Sequence, residues 1–93
     1  NEPMTPTEVL AYYTPAGSAS PLCCWCLSRY ANAVHEIEPR SKGGDWDTLE
    51  NRVPICTICH DLIHSTVGTA NARLKLTTNR AILVAIAKRP LLS

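Results

Sequence analysis

VHEIEPRSKGGDWDTLENRVPICTICHDLIH, residues 34–64, holds all three histidines of the chain, two of its five cysteines, the Gly43-Gly44 doublet and, between them, Asn51. A second cysteine pair, Cys23-x-x-Cys26, lies just upstream. Two sets of metal-ligating chemistry therefore occupy the middle of a chain of 93 residues. The flanks read as support for them.

A chain of this length forms one small domain, residues 1–93, and small domains struggle to bury an adequate core. There is no Phe, and there are only two Trp and three Tyr, so a staple is needed, either disulfides or a metal. Five cysteines is an odd number, which counts against a fully paired disulfide framework. The N-terminal residues lack the basic and apolar segments of an export signal. The longest apolar run, Ala81 to Ala87, is far too short to span a bilayer. These points predict no membrane partner and a reducing, cytoplasmic setting with thiolates on a metal. The net charge of +1 hides an asymmetry. Residues 62–93 carry Arg73, Lys75, Arg80, Lys88 and Arg89 and no acid, whereas residues 1–61 carry four basic residues against eight acidic ones. A basic final third suits a polyanionic partner, with a solvated helix face as the alternative.

Thr5-Pro6-Thr7-Glu8 is a helix start, with Thr at the N-cap, Pro in the first turn and Glu three residues after the cap; it predicts a helix over about 6–13. Thr14 to Pro21 is a loop by composition. Asn32 to Ile37 reads as a strand and Pro39 to Leu49 as a turn-rich loop. Asn51 to Ile55 is a short extended segment, because Pro54 is unsuited to a long central strand. From Cys56 a helix is expected, on which Cys56, Cys59, His60, Ile63 and His64 fall on neighbouring faces. Leu62, Ile63 and Val67 should add apolar contacts, and Gly68 should stop that helix. Thr69 to Leu76 is ambiguous. A last, basic helix is expected over about 79–89, capped by Thr77 or Thr78, docked through Ile82, Leu83 and Ile86 and ended by Pro90. The core of the domain spans 22–68.

Cys23-x-x-Cys26 and Cys56-x-x-Cys59 supply four thiolates, the donor set of a closed, structural Zn²⁺ site. A two-residue gap lets both sulfurs of a pair turn to one side of a tight knuckle or a first helical turn. One pair in a turn and the other opening a helix is a treble-clef-like arrangement. Binding free energy of about 10 kcal/mol at such a site can hold a small fold together. Cys24 is left over and is assigned to packing. The histidines form the second set. His60 and His64 are four apart on the expected helix, and His35 sits at a strand end. Two His from a helix and one from a strand, with positions left open, describe a catalytic divalent site.

The pattern His35-Glu36-Ile37-x-Pro39-Arg40-Ser41-x-Gly43-Gly44, then Asn51, then Ile55-Cys56-x-x-Cys59-His60-x-x-x-His64 resembles the HNH endonuclease motif in its zinc-containing form. The resemblance covers Cys23 to His64, close to half of the chain. It implies an α+β fold: a small ββα-metal (His-Me finger) unit set in the treble-clef-like four-cysteine zinc site, with flanking N- and C-terminal helices. It also implies hydrolysis of phosphodiesters in double-stranded DNA, leaving 5′-phosphate and 3′-hydroxyl ends, with weak sequence preference. By position, His35 and His60 match metal ligands and His64 an additional ligand of some members. Asn51 matches the Asn that braces the base or the loop. The implied catalytic set is thus Glu36, Asn51, His60 and His35. The implied cofactors are a structural Zn²⁺ and a catalytic Mg²⁺, Mn²⁺, Ni²⁺ or Zn²⁺. Arg29, Arg40, Lys42, Arg73, Lys75 and Arg80 are the candidate DNA contacts.

Glu36 falls where the family usually has its general-base His. At pH 7 a neutral imidazole is better matched to that task than an ordinary carboxylate. Three readings follow: Glu36 is the base, or it joins the metal shell, or the domain is a degenerate zinc-binding module that only binds DNA. A small redox protein built on Cys23 and Cys26 is a weaker alternative, since a redox CxxC needs no second pair. The resemblance points to a phage or mobile-element nuclease, in a bacterial or phage-infected cell, or to a domain of a larger phage or restriction machinery. The active form would be a monomer or a homodimer.

Overall fold

The computed structural model describes residues 4–39, 43–44, 47–66 and 69–87. Helix α1 (Pro6–Tyr12) begins where its capping residues place it. The Thr5 hydroxyl accepts from the Glu8 N–H at 3.2 Å, and the Glu8 carboxylate accepts from the Thr5 N–H at 2.8 Å. A reciprocal box of this kind satisfies two of the unpaired donors at a helix start. Strands β1 (Ala33–Glu36) and β2 (Arg52–Ile55) form a two-stranded antiparallel ribbon. Its register sets His35 opposite Val53 and Glu36 opposite Arg52.

Pro54 sits inside β2, opposite Val34. The Ile37 N–H donates to the Asn51 carbonyl at 2.9 Å. Bonded and non-bonded pairs alternate along an antiparallel ladder, so Val34 and Pro54 fall on a non-bonded pair. The missing N–H of Pro54 therefore removes nothing from the ladder. Its carbonyl points outward and accepts from the Cys24 N–H at 2.8 Å, tying the segment with the first cysteine pair to the ribbon.

Helix α2 (Thr57–Leu62) follows β2 directly, with the Cys56 sulfur accepting from the Cys59 N–H as the N-cap. It is shorter than expected. Ile63 caps its end, and residues 63–66 form turns in which the Thr66 N–H and hydroxyl both bond the Ile63 carbonyl. Burial of Ile63, 1% exposed, fixes this exit. Two expectations are corrected as a result. His64 is not on the helix that carries His60, and Leu62 is 65% exposed instead of packed. Val67 and Gly68 lie outside the described residues.

Helix α3 (Ala70–Ile86) corrects the expected last helix. It starts nine residues before Asn79, where the Thr69 hydroxyl accepts from the Ala72 N–H at 3.2 Å. The stretch 69–76 is ambiguous by local propensity. The buried face of Ala72, Leu76, Arg80, Leu83 and Val84, at helical spacing, decides it. The face is also rotated from the expected one: Leu83 is buried, but Ile82 and Ile86 are exposed. Lys88, Arg89 and Pro90 lie outside the described residues. Among the described residues no helix is long and apolar enough to cross a membrane.

The apolar residues form two clusters. Val9, Tyr13, Cys24, Ile37, Val53, Leu76, Leu83 and Val84 join α1, the ribbon and α3. Cys23, Ile55, Cys56, Cys59 and Ile63 surround the second cysteine pair. Cys24 is held in the first cluster as a thiol. Burial, with the neighbouring Cys23, pushes its pKa up to about 12, and its S–H donates to the Leu76 carbonyl at 3.3 Å. That bears out its assignment to packing.

Arg80, expected among the DNA contacts, is instead 8% exposed. Its Nε–H donates to the Tyr13 hydroxyl at 2.7 Å, and that hydroxyl donates to the Arg52 carbonyl at 2.7 Å. Burial raises the Tyr13 pKa to about 12 against the opposing Arg80 charge, so the hydroxyl stays a donor. The chain of bonds joins α3, α1 and β2. Replacing Tyr13 by Phe leaves a buried guanidinium and a buried carbonyl short of a partner. Tyr13→Phe is therefore expected to cost about 2 kcal/mol, read as a lower urea midpoint. An unchanged midpoint would show that these bonds contribute no stability.

Candidate active site and metal centre

One cysteine pair precedes β1 and the other follows β2. The antiparallel register, with Ala33 opposite Ile55, brings both to the same end of the ribbon. Cys23 and Cys26 lie on a tight turn closed by the Leu27 N–H to the Cys23 carbonyl (2.9 Å) and the Cys23 N–H to the Arg29 carbonyl (2.8 Å). Leu27 takes a left-handed φ of 55° there, a conformation that costs a residue with a Cβ. Cys56 and Cys59 open α2. The four sulfurs all lie within 4.8 Å of one another. A tetrahedral ion at Zn–S distances of about 2.3 Å needs sulfurs about 3.8 Å apart, so the donor set and its spacing fit zinc. Among the described residues this is the one group of three or more ligating side chains that converges so closely.

The sulfurs are already held for a cation by backbone donors. The Trp25, Arg29 and Cys59 N–H groups point at the sulfurs of Cys23, Cys26 and Cys56 at 3.3, 3.4 and 3.4 Å. Burial pushes the Cys26 thiol up, but the Arg29 and Ser28 N–H groups outweigh it and bring the pKa down to about 6. Cys56 is likewise lowered against burial, by the Cys59 N–H and Arg29. Cys59, raised to about 12 by burial and its neighbouring thiols, keeps its proton longest. A bound ion would displace it.

His35 and His60 meet beside this centre. Their rings pack edge to face with centroids 5.6 Å apart. His60 is held on the first turns of α2 by its N–H to the Cys56 carbonyl at 2.9 Å, one residue after a zinc-ligand position. The Nε2 atom of His35 is buried with no hydrogen-bond partner among the described residues. Burial, then the adjacent His60, lowers the His35 pKa, which keeps the imidazole neutral and able to ligate. A buried ring nitrogen without a described hydrogen-bond partner, on an imidazole packed against a second imidazole, fits a divalent cation. His64, on the turn after α2, is exposed, and no contact places it against this pair.

The loop after β1 is clamped from three sides, all at Glu38. Asn51 accepts from the Glu38 N–H at 2.8 Å and donates to the Glu38 carbonyl at 2.9 Å. Arg73 of α3 pairs with the Glu38 carboxylate at 3.0 Å. Gly44 packs so closely that an added Cβ would stand 1.8 Å from the Glu38 carbonyl oxygen. Sequence reasoning passed over Glu38. Its signal was the position just before Pro39 and ahead of the Gly-Gly doublet. Glu36 follows His35 on β1, with one carboxylate oxygen buried. Of the other candidate DNA contacts, Lys75 lies 4.0 Å over the Trp25 ring, and a guanidinium nitrogen of Arg29 is 3.8 Å from the Cys59 sulfur. Arg40 and Lys42 lie outside the described residues.

Residues 22–66 match the HNH endonuclease family. The four cysteines gathered at one end of the ribbon are consistent with the zinc-containing form of that family. No curated protein and no solved structure matches the chain.

Gly44→Ala is expected to destabilise the domain by about 2–3 kcal/mol, because the new methyl meets backbone and not a side chain that can turn away. A urea midpoint equal to wild type would mean that the loop does not approach Glu38 in this way. For His35 the folded state disfavours the proton, so the unfolded state binds it at higher pH. Stability is then lost as the pH falls through the unfolded value of about 6.5. Wild type is expected to lose more urea resistance between pH 7.5 and 5.5 than His35→Asn, which lacks the titrating group. Equal losses would sink this assignment, since thiolate protonation weakens both proteins alike.

Proposed function

We propose that this chain is a metal-dependent DNA endonuclease that nicks or cuts double-stranded DNA with little sequence preference. The observation that carries the reading is the buried Nε2 of His35, without a described hydrogen-bond partner, on a ring packed edge to face with that of His60. A structural histidine would satisfy that nitrogen.

His35 and His60 would hold a divalent ion, with His64 as a third ligand once the turn after α2 adjusts. When bound, such an ion supplies positive charge to the scissile phosphate and to the departing 3′-oxygen. Glu36 takes a proton from water as the water oxygen attacks phosphorus and the bond to the 3′-oxygen breaks. The products are a 5′-phosphate and a 3′-hydroxyl. Asn51 acts on the backbone: by holding both polar groups of Glu38 it sets the path of the chain just after Glu36. Lys75, exposed and lying over the Trp25 ring, is a candidate cation for a phosphate.

Conversion of supercoiled plasmid to nicked circle by the zinc-loaded protein, with added Mg²⁺, Mn²⁺ or Ni²⁺, tests this reading. Cleavage is expected for wild type and absent for His60→Ala. Glu36→Gln should lower the rate by about 10²- to 10⁴-fold, the usual contribution of a general base. Retarded migration of DNA in a gel with no cleavage under any of the three ions would instead make the domain a binding module.

A further inference from the structure

The four sulfurs of the cysteine centre are not treated alike by the main chain. Those of Cys23, Cys26 and Cys56 each accept a backbone N–H. The donor that reaches Cys59 is a side chain: Nη2 of Arg29, at 3.8 Å. Arg29 is bound into the same turn at two further points, its N–H on the Cys26 sulfur and its carbonyl on the Cys23 N–H. A Zn²⁺ ion with four thiolates carries two net negative charges, and a guanidinium on its edge offsets one of them. We propose that Arg29 is a positioning residue of the zinc centre, supplying to Cys59 the N–H···S bond that the backbone gives the other three sulfurs, and that it governs how firmly zinc is retained. This rests on the reading that the four cysteines hold zinc.

The proposal gives Arg29 a task other than the phosphate contact expected from its charge. A thiolate that accepts an N–H donor is less basic and less nucleophilic, so losing the donor exposes the metal to competing ligands and the sulfur to alkylation. Outer-shell partners of metal ligands are commonly worth about 10- to 100-fold in affinity.

The test uses the full chain loaded with zinc, in wild type, Arg29→Gln and Arg29→Lys. Zinc transfer to a chromophoric chelator is expected to be about 10-fold faster in Arg29→Gln and intermediate in Arg29→Lys, which keeps the charge and loses the planar donor. With Co²⁺ in place of zinc, the sulfur-to-metal charge-transfer band should move in Arg29→Gln, a signature that general loosening of the fold does not produce. Faster zinc loss with an unmoved band would overturn the proposal. So would wild-type zinc retention alongside weakened DNA binding, which would return Arg29 to the phosphate backbone. Should Arg29→Gln not fold, the Co²⁺ band of Arg29→Lys decides. A wild-type protein that takes up neither Zn²⁺ nor Co²⁺ would fail at an earlier point, the zinc reading itself.

Discussion

The convergence of four cysteine sulfurs is the constraint on which the rest of this molecule depends. It joins the turn before β1 to the first turn of α2, which the chain separates by a ribbon and a long loop. Through Cys59 it fixes the phase of α2, and the next residue is His60. The position of His60 against His35 is therefore set by the cysteine cluster and not by the helix's own stability. A six-residue helix has almost none in water. Cys59 of the cysteine cluster and His60 share one turn of backbone.

Around that centre, α1 and α3 build the apolar mass that a ribbon of two short strands lacks. A two-stranded ribbon is marginal by itself, and here β2 is buried along its whole length. Helix α3 also grips the first cysteine turn. The Asn79 side chain donates to the Cys24 carbonyl at 2.8 Å, Lys75 covers Trp25, and Leu76 accepts from Cys24. The late helix thus braces both the metal turn and, through Arg73 and Glu38, the loop beside the histidines.

These contacts change the meaning of the charge asymmetry. A count of basic residues after Asp61 suggests a surface offered to a polyanion. In the fold, Arg80 is buried on Tyr13, Arg73 is paired with Glu38 and Lys75 rests on an aromatic face. Burial of Arg80 and pairing of Arg73 with Glu38 offset part of that charge, so the field offered to a polyanion is weaker than the count implies.

The cysteine cluster and several elements were legible in sequence because their signals are local. Paired cysteines at two-residue gaps, a Thr-Pro-x-Glu helix start and a Pro that suits only a short strand each state a geometry within a few residues. The separations of His35, Asn51 and His60 carried the family resemblance. What sequence could not decide depends on contacts between distant segments. Helix α3 begins at Ala70 because Leu76 and Ala72 find a buried face there, which propensity over 69–76 does not reveal. His64 leaves α2 because Ile63 is drawn into the cysteine cluster. Arg29 meets the Cys59 sulfur and Arg80 meets Tyr13 in the core because only the folded chain brings these distant residues into reach.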